Sequence, residues 1–458
     1  MSRAFDAIVI GAGQAGPSLA ARLAASGMKV AIVERKLVGG TCVNTGCMPT
    51  KTLVASARAA QVARRGEAYG VRLPGPISLD MAMVKARADK VTLDARTGLE
   101  AFLNGQQGVT LIRGQARFLS ATEIEVSGER LTAPRIFVNV GGRAAIPDLP
   151  GVAETPFLTN TTILQLSEVP EHLIIVGGSY IGLEFAQMHR RFGAQVTVVE
   201  KGPRLIARED PEVSQTIREI LEAEGVRVRL GADCISLARR PDGGVTVGVD
   251  CASGEPVAHG SHVLLAVGRR PNTDDLGIEA AGVALDARGY IPVDEGLQTS
   301  VPGIWALGDC NGRGAFTHTA YNDYEIVAAN LLDGEDRKVS DRIDAYALYI
   351  DPPLGRVGMT EAQARQAGHQ IRVGKRPMSR VGRAVEKGET AGFMKVVVDA
   401  ADDRILGAAI LGVGGDEVIH TLLDTMAAGA GASALRRTMH IHPTVAELVP
   451  TVLGELKP

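Results

Sequence analysis

Cysteine is scarce, five in 458 residues. That excludes the secreted disulfide frameworks, which are dense in cysteine, and leads us to expect a cytoplasmic chain in a reducing compartment, where a lasting structural disulfide is rare. Long apolar runs are missing too. None approaches the ~18 residues that a membrane span needs. The first residues, "MSRAFDAIVIGAG", lack the charged, apolar and small-residue regions of a signal peptide. Charge of one sign is also absent. The net charge is −3 with the signs interspersed, and no basic block or aromatic–basic stripe suggests nucleic acid or an anionic membrane as partner.

What is present is ordinary globular material, 45% hydrophobic and 22% charged, in a chain long enough for two to four domains. Glycine is abundant, at 54 residues, which predicts many tight turns or close approaches of backbone to ligand. Much of the pattern falls in two matching segments, "DAIVIGAGQAGPSLAARLAASGMKVAIVER" (6–35) and "HLIIVGGSYIGLEFAQMHRRFGAQVTVVEK" (172–201). Each reads as an apolar strand, a glycine turn, a helix, a glycine and a second strand ending in glutamate. Gly11, Gly16, Gly27 and Glu34 of the first correspond to Gly177, Gly182, Gly193 and Glu200 of the second.

This is the spacing of the dinucleotide-binding βαβ unit. The first glycine makes the turn, Gly13 lets backbone approach a pyrophosphate, and the last glycine packs helix on strand. The phosphates then meet the helix N-terminus, and the terminal acid accepts hydrogen bonds from ribose hydroxyls. The second unit departs at its third position, where Ser179 stands in place of glycine. Two such units imply two nucleotides exchanging hydride. Glu200 favours an unphosphorylated ribose and hence NADH. Lys201 and Arg204 keep NADPH open, although by residue type they are ordinary surface cations.

Between the units lies "GGTCVNTGCMPTK" (39–51). Cys42 and Cys47 could be a metal clip, a staple or a redox couple. Zinc sites space their cysteines two to four residues apart and need two further ligands, whereas Cys234, Cys251 and Cys310 are isolated and read as small core or loop residues. The following stretch has helical spacing. Pro49 suits its first turn, and a cysteine at a helix N-terminus has a lowered thiol pKa.

On these residues the chain resembles the class I pyridine nucleotide–disulfide oxidoreductases. "GGTCVNTGCMPTK" resembles their redox-active disulfide. "VNVGGRAAIP" (138–147) and "LLAVGRRPN" (264–272) are similar to the segments crossing between two nucleotide domains. "TSVPGIWALGDC" (299–310) resembles the second flavin-binding stretch, and "HIHPTVAEL" (440–448) the C-terminal catalytic motif. "VNTGCMPTKTLVASA", "NDYEIVAANLL" and "GETAGFMKV" resemble the mercuric-reductase-like branch, which includes reactive-chlorine-resistance flavoproteins. There is no vicinal cysteine pair after Cys310 and no N-terminal CxxC domain, which argues against efficient mercuric reduction.

The resemblance implies an α/β fold with two Rossmann-like domains and a C-terminal α/β dimerisation domain. It implies FAD binding by 1–145 and 265–335, NAD(P) binding by 146–264, and a homodimer interface in 340–458. FAD would be held by Gly11, Gly13, Gly16, Glu34, Thr41, Lys51, Gly308 and Asp309, with Asp309 on the ribityl chain. NADH or NADPH would be held by Gly177, Ser179, Tyr180, Gly182, Glu200 and Gly268, with Tyr180 as gate over the nicotinamide pocket. Cys42 would be the interchange thiol that attacks a small-molecule substrate, and Cys47 the thiol against the flavin. Lys51, paired with Glu184, would lie near the flavin. His442, oriented by Glu447, would act as acid–base from the partner subunit. By residue type alone, Lys51, Glu184 and Tyr180 read as a surface lysine, a helix-surface glutamate and a packing tyrosine. No resident metal is expected. Two alternatives stay open: a dihydrolipoamide dehydrogenase, and a diaphorase or oxidase with idle cysteines.

Overall fold

A computed structural model of the protein describes residues 2–250 and 255–457. Cys251 lies outside the described residues.

Both matching segments fold as parallel βαβ units. In the first, strand Ala7–Ile10 leads into helix Ala15–Ala25 and strand Val30–Glu34. These strands are central in a five-stranded parallel sheet, in the order Ile304–Ala306, Ile136–Val138, Ala7–Ile10, Val30–Glu34, Val109–Arg113. Every residue of the two leading strands is buried, as expected for a parallel sheet covered on both faces. In the second unit, strand His172–Val176 leads into helix Tyr180–Phe192 and strand Gln195–Val199. Its four-stranded parallel sheet runs Arg227–Arg229, Gln195–Val199, His172–Val176, His262–Leu265.

The matching glycines do matching work. Gly11 has φ +105° and Gly177 φ +116°, a region that favours glycine. A Cβ at either would lie 2.3 Å from the Asn139 carbonyl oxygen or 2.4 Å from that of Ala266. Ser179, by contrast, is extended at φ −112°, ψ −171°, a conformation any residue adopts, so serine stands there without strain.

The chain crosses between the units in an antiparallel ribbon, Gly142–Ala144 against Arg269–Pro271, inside the two segments expected to cross. The C-terminal region is a five-stranded antiparallel sheet in the order Ala345–Leu348, Leu354–Gly358, Ile405–Leu411, Phe393–Asp399, Ile371–Pro377. Helix Gly415–Ala427 packs on it. Its two central strands are wholly buried, and they include the charged side chain of Lys395, 3% exposed. That ammonium is balanced by Asp210 at 3.1 Å, Glu212 at 2.7 Å and Glu361 at 2.7 Å. Beside it the buried Arg356 guanidinium pairs with buried Glu209. Glu209, Asp210 and Glu212 follow the second βαβ unit, so this ion network ties that unit to the C-terminal sheet.

Candidate active site

The cysteine loop is held against the first nucleotide turn. Gly40, at φ +59°, lies so close to Gly13 that a Cβ on it would sit 2.8 Å from the Gly13 Cα. Asn44 Nδ2 donates to the carbonyls of Val38 (2.9 Å) and Gly40 (3.0 Å), closing the short helix Gly40–Thr45 that carries Cys42. Asn160 Nδ2 donates to the Thr45 carbonyl at 3.0 Å. After Gly46 a long helix, Cys47–Arg64, begins at Cys47 itself.

Cys42 and Cys47 are both thiols here, and they are unequal. Cys47 is brought down to about 6, first by the hydrogen bond from Cys42 and then, against burial, by the Thr317 hydroxyl and the Lys51 ammonium; Glu184 opposes the fall. The Cys42 thiol is pushed well above the ordinary range by donating to Cys47 and by burial. The pair therefore holds its proton on Cys42 and its negative charge on Cys47. The helix start expected to activate a cysteine is present at Cys47, and the partner thiol acts on the same sulfur.

One helical turn beyond Cys47, Lys51 Nζ lies 2.7 Å from Glu184 Oε2 and 4.6 Å from the centre of the Tyr349 ring. Glu184 is one turn beyond Tyr180 on its own helix, is 5% exposed, and accepts the Tyr349 backbone N–H at 3.0 Å. A lysine and a glutamate that look like surface residues in the sequence are thus joined across the two units.

All these groups open onto one cavity of about 2290 Å³, against roughly 300–1,000 Å³ for a single small-molecule pocket. On the first unit it is lined by Gly11, Gly13, Glu34 and Thr41, with Gly308 and Asp309 from the later stretch. On the second it is lined by Gly177, Ser179, Tyr180, Glu200 and Gly268. Helices Ala15–Ala25 and Tyr180–Phe192 both start without a side-chain cap, leaving backbone N–H groups for an anion. Gly16 and Gly182 lie behind the cavity. A Cβ on them would lie 2.3 Å and 2.1 Å from the carbonyl oxygens of Gly11 and Gly177, so each packs its helix against its turn.

The acids at the strand ends are partly engaged. Glu34 accepts the N–H groups of Ala12 (2.9 Å) and Lys36 (2.8 Å). Glu200 accepts those of Gly178 (2.6 Å) and Gly202 (2.7 Å). Each carboxylate is thereby fixed with lone pairs left over. Asp309 is met by Arg269 Nε at 3.2 Å.

His442 and Glu447 are joined, with Nδ1 at 3.0 Å and 3.1 Å from the two carboxylate oxygens. They are not brought to the cysteines within one chain. The His442 side chain is 80% exposed and lines no part of the cavity. Cys310 is buried, donating to backbone carbonyls of Val138 and Leu307, and Cys234 is exposed.

Sequence reasoning missed Thr317, whose Oγ1 is 3.1 Å from Cys47 Sγ. The one signal available was a threonine opening a helix shortly after "ALGDC", and nothing local links it to a cysteine 270 residues earlier. Asn139, whose side-chain amide donates to the Gly11 carbonyl at 3.1 Å, and Tyr349 were missed for the same reason.

Comparison with known proteins agrees with this architecture. Residues 5–323 match the family model for pyridine nucleotide–disulphide oxidoreductases, and residues 345–453 match the dimerisation domain of that family. The chain is 35% identical to the probable pyridine nucleotide–disulfide oxidoreductase RclA of Escherichia coli, over 99% of both chains. It is 36% identical to a dihydrolipoyl dehydrogenase of Thermus scotoductus, over 97% of this chain and 96% of that one. It is 32% identical to a mercuric reductase of Bacillus cereus, over 97% of this chain and 70% of that one. Among solved structures, the Cu(II) complex of the HOCl-induced flavoprotein disulfide reductase RclA superposes with a TM-score of 0.90 at 34% identity, covering 99% of each chain. With two nucleotide-type units, a dithiol between them and family models spanning nearly its whole length, the chain belongs to the class I pyridine nucleotide–disulfide oxidoreductases and is RclA-like.

Proposed function

We propose that the enzyme takes hydride from NAD(P)H and delivers the electrons through FAD and the Cys42–Cys47 couple to a small disulfide, an oxidised-sulfur or other thiol-reactive oxidant, or a metal ion. The observation that carries this reading is geometric: Cys42 and Cys47, with Thr317 3.1 Å from Cys47 and the Lys51–Glu184 pair beside them, line one cavity together with both glycine turns. FAD suits the first cradle, where an uncapped helix start and the bare Gly13 face an open cavity. Bound there, it would supply two-electron chemistry between nicotinamide and disulfide. Gly11, Gly13, Glu34, Thr41, Gly308 and Asp309 would hold it, in a domain of residues 1–145 and 265–335. Gly177, Ser179, Glu200 and Gly268 would hold the coenzyme, in residues 146–264.

NADH is the favoured coenzyme. Glu200 presents a fixed carboxylate where a 2′-phosphate would be repelled, and Arg204 Nη2 is turned to the Ala207 carbonyl at 2.8 Å. The Lys51 charge, held by Glu184, would face the flavin ring and stabilise negative charge there.

With a disulfide substrate the electron balance closes on the two cysteines. Cys42 loses its proton to a base, attacks one substrate sulfur and expels the other half as a thiol. Cys47, already a thiolate, then attacks the Cys42 sulfur, re-forms the disulfide and releases the second half as a thiolate, which takes its proton from water. Within one chain His442, the histidine joined to a carboxylate at Glu447, lies off the cavity that holds Cys42. In a homodimer built on residues 340–458, His442 of the partner subunit, oriented by Glu447, would take and return that proton. The dimerisation-domain match and the exposed Met439 and Ile441 beside His442 support this assembly. A reducing cytoplasm suits a dithiol that must stay accessible.

Anaerobic titration of the purified protein with NADH tests the reading. A long-wavelength absorbance band after two electrons is expected from a Cys47 thiolate against oxidised flavin. Absence of bound FAD, or full disulfide reduction by Cys42→Ser, would refute it, and the second outcome would favour the diaphorase. The similarity to dihydrolipoyl dehydrogenases keeps the lipoamide reaction as a second reading. Negligible NAD⁺ reduction by dihydrolipoamide would remove it.

A further inference from the structure

We propose that Arg208 latches the Tyr180 gate and, by binding a phosphate of the incoming pyridine nucleotide, releases it. The proposal rests on the coenzyme reading above and adds a residue that reads the ligand.

Tyr180 opens its helix at the cavity wall. Its ring stands edge-on to Phe316 (5.9 Å, 88°) and to Tyr346 (5.5 Å, 84°), and those two rings stack on one another at 5.7 Å. The Tyr346 hydroxyl is anchored, donating to Glu209 Oε1 at 2.5 Å. The Tyr180 hydroxyl is buried and, although it lies near the Tyr346 hydroxyl, makes no hydrogen bond of good geometry. A buried donor left unpaired is costly, and swinging out to water recovers it. Tyr180 is therefore the movable member of an otherwise fixed aromatic box.

Arg208 covers that box. Its guanidinium carbon lies 5.2 Å from the centre of the Tyr180 ring and 5.7 Å from that of Tyr346. Among the described residues it has no ion pair and no side-chain hydrogen bond. The acids that follow it in sequence, Glu209 and Asp210, are taken by Arg356 and Lys395. An exposed guanidinium with five N–H donors thus rests on two ring faces, at the lip of the cavity and beside an uncapped helix start.

Ring faces offer an arginine only quadrupole attraction. A phosphate offers paired, charge-assisted hydrogen bonds in the geometry of the guanidinium fork. A phosphate arriving at the Tyr180 helix start would draw Arg208 off the rings and uncover Tyr180. Coenzyme binding and gate opening become one event. The phosphate is either the pyrophosphate common to both coenzymes or the 2′-phosphate of NADPH.

Calorimetric titration of the holoenzyme with ADP-ribose and with 2′-phospho-ADP-ribose tests this. Neither probe carries a nicotinamide, so neither needs the gate open. Arg208→Met is expected to weaken binding about tenfold and to flatten its salt dependence, with partial recovery in Arg208→Lys. Weakening of both probes assigns the pyrophosphate, and weakening of the 2′-phospho form alone assigns the 2′-phosphate. In turnover, KM for the coenzyme rises while kcat holds or increases, because the gate is freed. Wild-type affinity and salt dependence in Arg208→Met would overturn this proposal alone. Wild-type protein that binds neither probe would overturn the coenzyme reading with it.

Discussion

Replacing Thr317 by valine removes one hydroxyl and keeps the shape of the side chain. Cys47 accepts from Cys42 and carries the negative charge of the pair, so Thr317 Oγ1, at 3.1 Å, is the donor in that contact. A hydrogen bond to a charged group contributes ~1.5–3 kcal/mol. Both residues are half-buried, so solvent screening selects the low end, about 1.5 kcal/mol. At 1.36 kcal/mol per unit, this corresponds to a rise of about one pKa unit. The hydrogen bond from Cys42, the Thr317 hydroxyl and the Lys51 charge bring the Cys47 thiol down to about 6. As pH falls through that value the thiolate is lost, and Thr317→Val shifts the loss upward. The rate of iodoacetamide alkylation at Cys47 in the reduced protein, followed by peptide mass spectrometry across pH, reports it directly. Thr317→Ser restores the hydroxyl and should return the midpoint. A midpoint that stays put or falls in Thr317→Val would refute the assignment of Thr317 as donor to the thiolate.

Three further perturbations bear on the same architecture. Glu184→Gln removes the negative charge that opposes Cys47 ionisation, so the same alkylation midpoint moves downward, while loss of the Lys51 partner slows NADH-dependent reduction by about tenfold, or 1.4 kcal/mol. Arg356→Met strands the buried Glu209 charge and should cost about 3–5 kcal/mol in denaturant unfolding; the double variant with Glu209→Gln recovers most of this, and additive losses would argue against a coupled pair. Ile441→Asp combined with Met439→Asp places charge on side chains that are 79% and 95% exposed in one chain. Sedimentation should then show monomers that bind NADH and have lost disulfide reduction, whereas an unaltered oligomeric state would remove this segment from the interface.

The two nucleotide units were legible because their determinants are local. Gly11 and Gly177 announce turns at positive φ that other residues rarely adopt, and the period of the flanking apolar residues changes from strand to helix and back. The dithiol was legible because two cysteines in a cysteine-poor chain stand close together after such a unit. Ser179 was a departure in the sequence and is harmless in the fold, because its backbone is extended.

The sequence alone therefore determined the class of chemistry and most of the residue types that bear it, since glycine turns, strand-ending acids and the CxxxxC spacing act over short stretches of chain. Tertiary structure alone decided the electrostatics. Thr317 meets Cys47 across 270 residues, and Lys51 meets Glu184 across 133. Among the described residues Arg208 has no ion pair, because Arg356 and Lys395, on the C-terminal sheet, occupy its acidic neighbours. Burial and the identity of the nearest charge set a thiol's pKa and a guanidinium's availability, and both follow from packing between distant segments that no local pattern records.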